Sequence, residues 1–510
     1  MKLSDLSGRS RLADLLALLA GLLTVVAFAP YSVAPLAVIG PAMLFVSWHH
    51  ATPRRMAWRG YLYGLGFFGF GVSWITSGLS LFGAHMQALA LPLAGVFVLV
   101  LALYPGLMGW VASRFGCVPA AARLIVIWPA LWTAFEWLRG TLFTGFPWLL
   151  LGDSQVASGP GGLAPVLGDY GVSWLVALLA GLLALAATGR RVPPRVAALL
   201  AAGVLWFGAG ALRQVDWTHP TGAPMRVSVV QGNVPQQVKW VPSEFERTLA
   251  RYRDLTRAHW DSRLIVWPES AIPALYREVA ARYLDPLAAE AASHGSTLMV
   301  GLFVRRGQKI YNAVASVGDG APGFYFKHHL VPFGEYMPFK GLLGWLYRDM
   351  NVPMSGLSAG RGGYTVQAAG QTVDVSICYE DAYGDLVIRG LPQASLLVNV
   401  SDDAWFDGSL EPAQHMQIAR MRALETGRYL LRAANTGISG IVGPKGEVIA
   451  LADMGRTEVI SAEVRPMGGA TPYVRIGNGP VVGAVFAILF FGWVFGLAMT
   501  RNQQRKMESK

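Results

Sequence analysis

The 510 residues contain two cysteines, Cys117 and Cys378. Cys378 ends an apolar run, Val373-Asp374-Val375-Ser376-Ile377, and precedes a polar turn, Tyr379-Glu380-Asp381. A thiol where a strand leaves a rigid sheet is well placed to act as a nucleophile. A buried cysteine behaving as a small apolar side chain fits the same local pattern equally well. An ordinary thiol, with a pKa of about 8.5, needs a base or a nearby cation to attack at neutral pH. Val266-Trp267-Pro268-Glu269-Ser270 puts a carboxylate at the end of a second apolar run, where apolar neighbours raise its basicity. Phe324-Tyr325-Phe326-Lys327-His328-His329 puts an ammonium at the end of a third. Each charge alone reads more readily as a surface group. Together they form a candidate nucleophile (Cys378), base (Glu269) and oxyanion-stabilising cation (Lys327). His328, His329 and His415 hint at a metal, but a single cysteine in this half and no His-rich spacing argue against zinc, and no metal or cofactor is expected.

These residues need a sheet to hold them. Residues 225–231, 264–267, 297–303, 310–317, 372–378 and 395–400 read as strands, and 245–259, 277–294 and 412–426 as helices. That alternation implies an α/β domain over 214–478, large enough for a substantial core.

The rest of the chain is of another kind. Hydrophobic residues make up 53% of the sequence and charged ones 14%, outside the usual range for soluble proteins. Eight stretches are apolar enough to span, or nearly span, a bilayer: about 11–29, 34–48, 60–81, 87–112, 121–139, 164–187, 194–212 and 479–499. A domain order of seven spans (1–213), the α/β domain (214–478) and an eighth span with a basic tail (479–510) follows. Ala27-Phe28-Ala29 after a basic start imitates a signal-peptide cleavage site, but further spans and Pro30 follow at once, so it reads as part of the first span.

The net charge of +11 does not indicate nucleic acid. Residues 214–478 hold 25 basic and 25 acidic residues, so the excess lies beside the spans, in 17 basic and 6 acidic residues. Lys2, Arg9 and Arg11, then Arg54, Arg55 and Arg59, Arg114 and Arg123, Arg190, Arg191 and Arg195, and finally Arg501, Arg505, Lys506 and Lys510 mark alternate loops and the tail. This pattern predicts cytoplasmic termini and an α/β domain on the outer face. Cys117 and Cys378 are then on opposite sides and cannot pair, which leaves Cys378 as a lone thiol in an oxidising compartment. Glu136, Asp153 and Asp169 lie in or near spans, where ionisable groups are usually functional or paired.

Glu269 in Trp-Pro-Glu-Ser, Lys327 ahead of Val331-Pro332-Phe333-Gly334-Glu335-Tyr336-Met337-Pro338-Phe339, and Cys378 in Ser-Ile-Cys-Tyr-Glu-Asp resemble, in order, the Glu-Lys-Cys triad of the nitrilase superfamily. More narrowly, Gln231-Gly232-Asn233-Val234-Pro235 through Trp240, Asp403-Ala404-Trp405-Phe406, Gln414-His415 through Glu425, Tyr63-Gly64-Leu65-Gly66-Phe67-Phe68-Gly69 and Thr144-Gly145-Phe146-Pro147-Trp148 resemble the apolipoprotein N-acyltransferase family. Ser401-Asp402-Asp403 departs from that family's Ser-Asn-Asp pattern and puts the local hydrogen bonding there in doubt.

The resemblance implies an αββα sandwich beside eight spans in a bacterial inner membrane, with the catalytic domain periplasmic. It implies transfer of a fatty acyl chain, the sn-1 chain of a phospholipid such as phosphatidylethanolamine, through a Cys378 thioester to the amine of a diacylglyceryl-cysteine apolipoprotein. It gives Glu335 a supporting role at Lys327, and Tyr379 and Glu380 the positioning of the thiol and its oxyanion donors. Trp240 is expected to line the lipid path. Residues 339–347, with Leu343, Trp345 and Leu346, have the leucine and aromatic content of an interfacial insertion that would bind acyl chains. A monomer is expected. The triad alone also fits a membrane-tethered amide hydrolase, and a non-enzymatic transporter or lipid scaffold is a further alternative.

Overall fold

The computed structural model describes residues 10–81, 84–318, 320–338, 341 and 356–508. The chain divides into two compact units: Met1–Ser73, Pro92–Val215 and Ile476–Lys510 form the first, and Trp74–Leu91 with Asp216–Arg475 the second.

The first unit is helical, and helices stand at or near each expected span. Five are long and apolar enough to cross a membrane: Met86–Phe115, Ala120–Thr144, Gly159–Thr188, Val192–Gln214 and Gly479–Arg501. Leu36–Trp48 is apolar but shorter. The stretch expected at 60–81 is instead a helix over Pro53–Gly71, with proline in its first turn, and a separate short helix over Ile75–Ser80. Close packing depends on small residues. A Cβ on Gly21 would stand 2.1 Å from the Tyr63 carbonyl oxygen, and one on Gly66 2.3 Å from that of Leu18, so the helices Ser10–Val25 and Pro53–Gly71 touch backbone to backbone. Glu136 accepts hydrogen bonds from Trp132 Nε1 (2.9 Å) and the Leu151 amide (3.0 Å), and Arg139 donates to the carbonyls of Phe146 (2.7 Å) and Trp148 (2.5 Å). Glu136 and Arg139 thus tie down the turn that follows their helix.

The second unit contains two six-stranded sheets and a small two-stranded pair. The pair is β1 (His219–Pro220) with β14 (Met467–Gly468). One large sheet has β2 (Met225–Gln231), β3 (Leu264–Val266), β4 (Thr297–Arg306), β5 (Lys309–Val317), β6 (Gly323–Phe326) and β13 (Glu458–Val464), in the order β13-β2-β3-β4-β5-β6. The other has β7 (Thr365–Ala368), β8 (Gln371–Ile377), β9 (Leu396–Ser401), β10 (Leu430–Ala434), β11 (Gly440–Val442) and β12 (Val448–Leu451), in the order β12-β11-β10-β9-β8-β7. β2, β3 and β4 run parallel, as do β8, β9 and β10.

Strand alternation sends successive side chains to opposite faces. Val227, Val229, Leu264, Val266 and Met299 from one sheet meet Val373, Val375, Ile377, Val398 and Val400 from the other in a shared core. Val230, Ile265, Leu298 and Val300 face outward onto Leu249, Tyr252, Leu287 and Ala291, from the helices Phe245–Arg257 and Asp285–Ser293. Leu397, Leu430 and Val442 face outward onto Met416, Ala419 and Ala423 of the helix Glu411–Thr426. These layers are the expected αββα sandwich. The helix expected over 277–294 is three pieces, Tyr276–Val279, a wider π turn Ala280–Leu284, and Asp285–Ser293. Pro286 lacks the amide hydrogen a regular α-helix needs there, and the wide turn accommodates that loss.

Within this unit Trp74 and Gly78 pack onto the sandwich. Trp74 Nε1 donates to Gln414 Oε1 (3.1 Å), and its ring meets that of Phe406 edge-on at 4.9 Å. Gly78 lies so close to the Phe406 ring that a Cβ would stand 2.5 Å from it.

Candidate active site

The parallel strands end together, and side chains just beyond their carboxyl ends converge, the usual location of sites in such sheets. β3 stops at Val266, and the next residues are pinned: the Trp267 amide donates to Met299 O (2.8 Å), and its indole donates to Thr256 Oγ1 (2.9 Å) and stacks on Tyr252. The turn then lies on the backbone of Gly301, where a Cβ would be 2.1 Å from Pro268 O and 2.8 Å from Glu269 Cα. That contact presents Glu269 inward at 2% exposure.

Lys327 follows β6 directly. Its amide donates to Asn312 O (2.9 Å) and its carbonyl accepts from the Gly360 amide (2.7 Å), so the backbone is held on both sides. The ammonium, 1% exposed, reaches Glu335 Oε1 at 3.0 Å and Glu269 Oε1 at 3.3 Å. Asn312 Nδ2 donates to the same two oxygens, at 2.7 Å to Glu269 and 3.0 Å to Glu335. The other oxygen of Glu335 accepts from the Val331 amide (2.8 Å), and that of Glu269 from the Asp402 amide (3.1 Å). Burial raises the Glu269 pKa above the ordinary carboxylate value; Lys327 opposes the rise, while Glu335 and Asp402 add to it. Burial works against the Lys327 charge, but Glu269 and Glu335 outweigh it and the ammonium pKa is raised.

Cys378 begins a turn after β8 with φ +56°, a left-handed conformation that costs a non-glycine residue about 1–3 kcal/mol. Surrounding contacts hold it there. The Cys378 carbonyl accepts from Asn399 Nδ2 (3.0 Å), and His415 Nε2 lies 3.3 Å away. Glu380 accepts four hydrogen bonds: from the amides of His328 (2.7 Å) and His329 (2.9 Å) on one oxygen, and from the Ile377 amide (2.7 Å) and Tyr325 hydroxyl (2.8 Å) on the other. It thereby ties the lysine-bearing segment to the cysteine turn. Burial raises Glu380 to about 7, against the pull of Lys327 and these donors. Burial raises the Cys378 thiol well above its ordinary value and the Glu269 charge adds to this, while Lys327 and His415 act the other way. All three groups named from the sequence are thus in electrostatic contact.

The remaining expected residues are placed as follows. Tyr379 lies in an aromatic set with His329 and Tyr383, its hydroxyl 3.4 Å from Leu330 O. Trp240 is half-buried and packs against Phe303. Leu343, Trp345 and Leu346 lie outside the described residues.

Sequence reasoning missed two groups of residues. Asn312 is a fully buried polar side chain in a largely apolar strand, a weak signal that Ser316 in the same strand shares. The other group is a buried charge network behind Cys378. His415 Nε2 is 3.0 Å from Asp381, and its Nδ1 is 3.1 Å from Glu411 and 3.3 Å from Asp403. Arg432 lies 2.9 Å from Asp403 and 3.5 Å from Asp381. Burial and Arg432 oppose the imidazolium, yet Asp381 and Asp403 prevail and the His415 pKa is raised well above 6.5. Asp403, Glu411 and His415 are close enough to hold a metal ion, but the Arg432 guanidinium already supplies a cation to this cluster.

Known proteins match the chain in two consecutive parts. Residues 20–182 match the apolipoprotein N-acyltransferase N-terminal domain, and residues 226–473 match carbon-nitrogen hydrolase. The apolipoprotein N-acyltransferase of Methylococcus capsulatus is 46% identical over 484 residues, covering 94% of this chain and 95% of its own. That of Nitrosomonas europaea is 43% identical over 483 residues (92% and 95%), and that of Coxiella burnetii 38% over 480 (93% and 99%). With both halves matched in order and relatives aligned over almost their full lengths, this chain belongs to the apolipoprotein N-acyltransferase family.

Proposed function

We propose that this protein moves a fatty acyl chain from a membrane phospholipid, through a thioester on Cys378, to the α-amine of a diacylglyceryl-cysteine apolipoprotein. The observation that carries this reading is the buried meeting of Glu269 and Lys327, in electrostatic contact with a thiol held in a left-handed turn. The burial-raised thiol rests protonated, so attack needs a base. Glu269 takes the Sγ proton, sulfur adds to the ester carbonyl, and Lys327 stabilises the oxyanion. Collapse breaks the ester C–O bond, and the leaving lysophospholipid oxygen takes the proton back from Glu269. The acceptor amine then adds to the thioester as Glu269 receives its proton. The amide forms as the C–S bond breaks, and the thiolate is reprotonated, a two-step exchange. Glu335 holds Lys327, Glu380 and Tyr379 set the cysteine turn, and Trp240 lines the lipid path.

In this reading the chain is a monomer with eight spans in a bacterial inner membrane, and its α/β unit faces the periplasm. The apolar helices and the placement of Lys and Arg support that orientation. Phosphatidylethanolamine is the proposed donor.

The test is intact-protein mass spectrometry after incubation with phosphatidylethanolamine. One added acyl mass is expected, absent from Cys378→Ala and discharged by a diacylated lipopeptide but not by water. Absence of an adduct on the unsubstituted protein, or its discharge by water alone, would overturn the reading in favour of another chemistry.

A further inference from the structure

A buried charged pair that the mechanism does not use lies directly against Glu269. Lys239 is 3% exposed, and its ammonium lies 2.5 Å from Asp402 Oδ2, 2.7 Å from Ser270 Oγ and 3.2 Å from the Glu269 carbonyl oxygen. Asp402, also 3% exposed, donates its backbone amide to Glu269 Oε2 (3.1 Å). Its second oxygen accepts from Asn435 Nδ2 (3.0 Å), and Asn435 in turn pairs with both backbone groups of Val234 (3.0 and 2.8 Å). A continuous chain of bonds therefore runs from the end of β2, through the end of β10 and the end of β9, to the turn that presents Glu269. Ser270 in that turn has φ +45°, a conformation that needs external support.

We propose that Lys239 and Asp402 are a positioning pair for the acyl-transfer base: the ammonium grips the Glu269–Ser270 turn from behind while the Asp402 amide grips the carboxylate itself. This rests on Glu269 acting as the base. Two buried opposite charges tolerate one another, whereas either alone is an uncompensated ion. That explains why an aspartate, rather than an amide, at position 402 suits a lysine at 239.

Among the described residues, the charged and titratable groups that act most on Glu269 are Lys327, Glu335, Cys378 and Asp402, with Lys239 against its backbone. Tyr252 and Asp407 also feel Asp402. Removing the Asp402 charge leaves Lys239 unopposed and eases ionisation of Glu269. Removing the Lys239 charge leaves Asp402 unopposed and does the reverse.

The test uses the full-length protein in detergent, with phosphatidylethanolamine and a fluorescent diacylated lipopeptide, and measures kcat/KM against pH. Asp402→Asn should move the acid limb to lower pH, and Lys239→Met should move it to higher pH. The double variant should return the limb toward its original position yet stay slower by about tenfold to a hundredfold, because the grip on the turn is lost. A purely structural pair would lower the amount of folded enzyme and leave both limbs in place, and that result overturns the proposal, as do shifts of equal sign. Should Lys239→Met fail to fold, Asp402→Asn decides alone: an unmoved limb overturns the proposal. Glu269→Gln separates the two readings. If it remains active, the base assignment itself falls; if it is inactive while the pair variants match the unsubstituted profile, only the positioning role falls.

Discussion

The Lys327 ammonium lies 3.0 Å from Glu335 Oε1, closer than its 3.3 Å approach to Glu269. The lysine is thus shared between the base and a second carboxylate, and Glu335 helps keep the ammonium charged while Glu269 exchanges a proton. Replacing Glu335 by Gln removes an anion that raises Glu269. Thioester formation should slow by about tenfold to a hundredfold, and its acid limb should move to lower pH in a stopped-flow profile of acyl adduct against pH.

Glu269 itself sets that limb. Burial raises its pKa, so activity should fall as pH drops through a value above the ordinary carboxylate pKa of about 4.3. The base is lost by protonation, so the loss is on the acid side and reversible. A limb at or below the ordinary value would contradict the buried geometry.

The thiol can be read separately. In a Cys117→Ser background only Cys378 remains to be alkylated. Because burial raises it, its iodoacetamide labelling rate should still be rising past about pH 9.5, where a thiol of pKa about 8.5 has levelled off. A plateau near pH 8 would show that the thiolate is stabilised at rest.

Gly301→Ala tests the Glu269 turn without touching a charged group. The new methyl carbon meets Pro268 O at 2.1 Å and Glu269 Cα at 2.8 Å, both too close to accept. Overpacking of this kind costs about 1–3 kcal/mol of stability. Turnover of the folded fraction should fall by about a hundredfold, as measured by a melting curve and a lipopeptide assay on the same sample.

Glu380→Gln should act on stability first. Three of its four donors are backbone N–H groups and only the Tyr325 hydroxyl can turn to accept, so an amide NH2 on either side sets a buried hydrogen against a backbone N–H. A loss of about 3 kcal/mol is expected from such unpaired groups, seen as a lower melting temperature with activity reduced in parallel.

The sequence announced those parts of the site whose signals are local. Cys378, Glu269 and Lys327 each end a short apolar run, and the strands that carry them pack as the alternation of Val227, Val229 and Val230 requires. Glu380 was legible as a residue of interest, but its role as a clasp on four donors depends on His328 and Tyr325, more than fifty positions away. Lys239 and Asp402 are separated by 163 positions, and nothing near either one reveals that they meet. His415 looked like an isolated histidine because, apart from Glu411 one turn earlier, its partners Asp381 and Asp403 come from other strand ends. Short strands such as β10 and β11 escaped notice for a different reason: three to five residues give too few alternations to rise above the surrounding pattern.

The Trp74 indole rests on Phe406 and Gln414, the latter 340 positions further along the chain. An excised fragment beginning at Asp216 would strip that indole away and turn the Phe406 ring toward solvent. The α/β layers are therefore not built from the residues after Asp216 alone. Part of their own covering is woven in from a segment translated long before them.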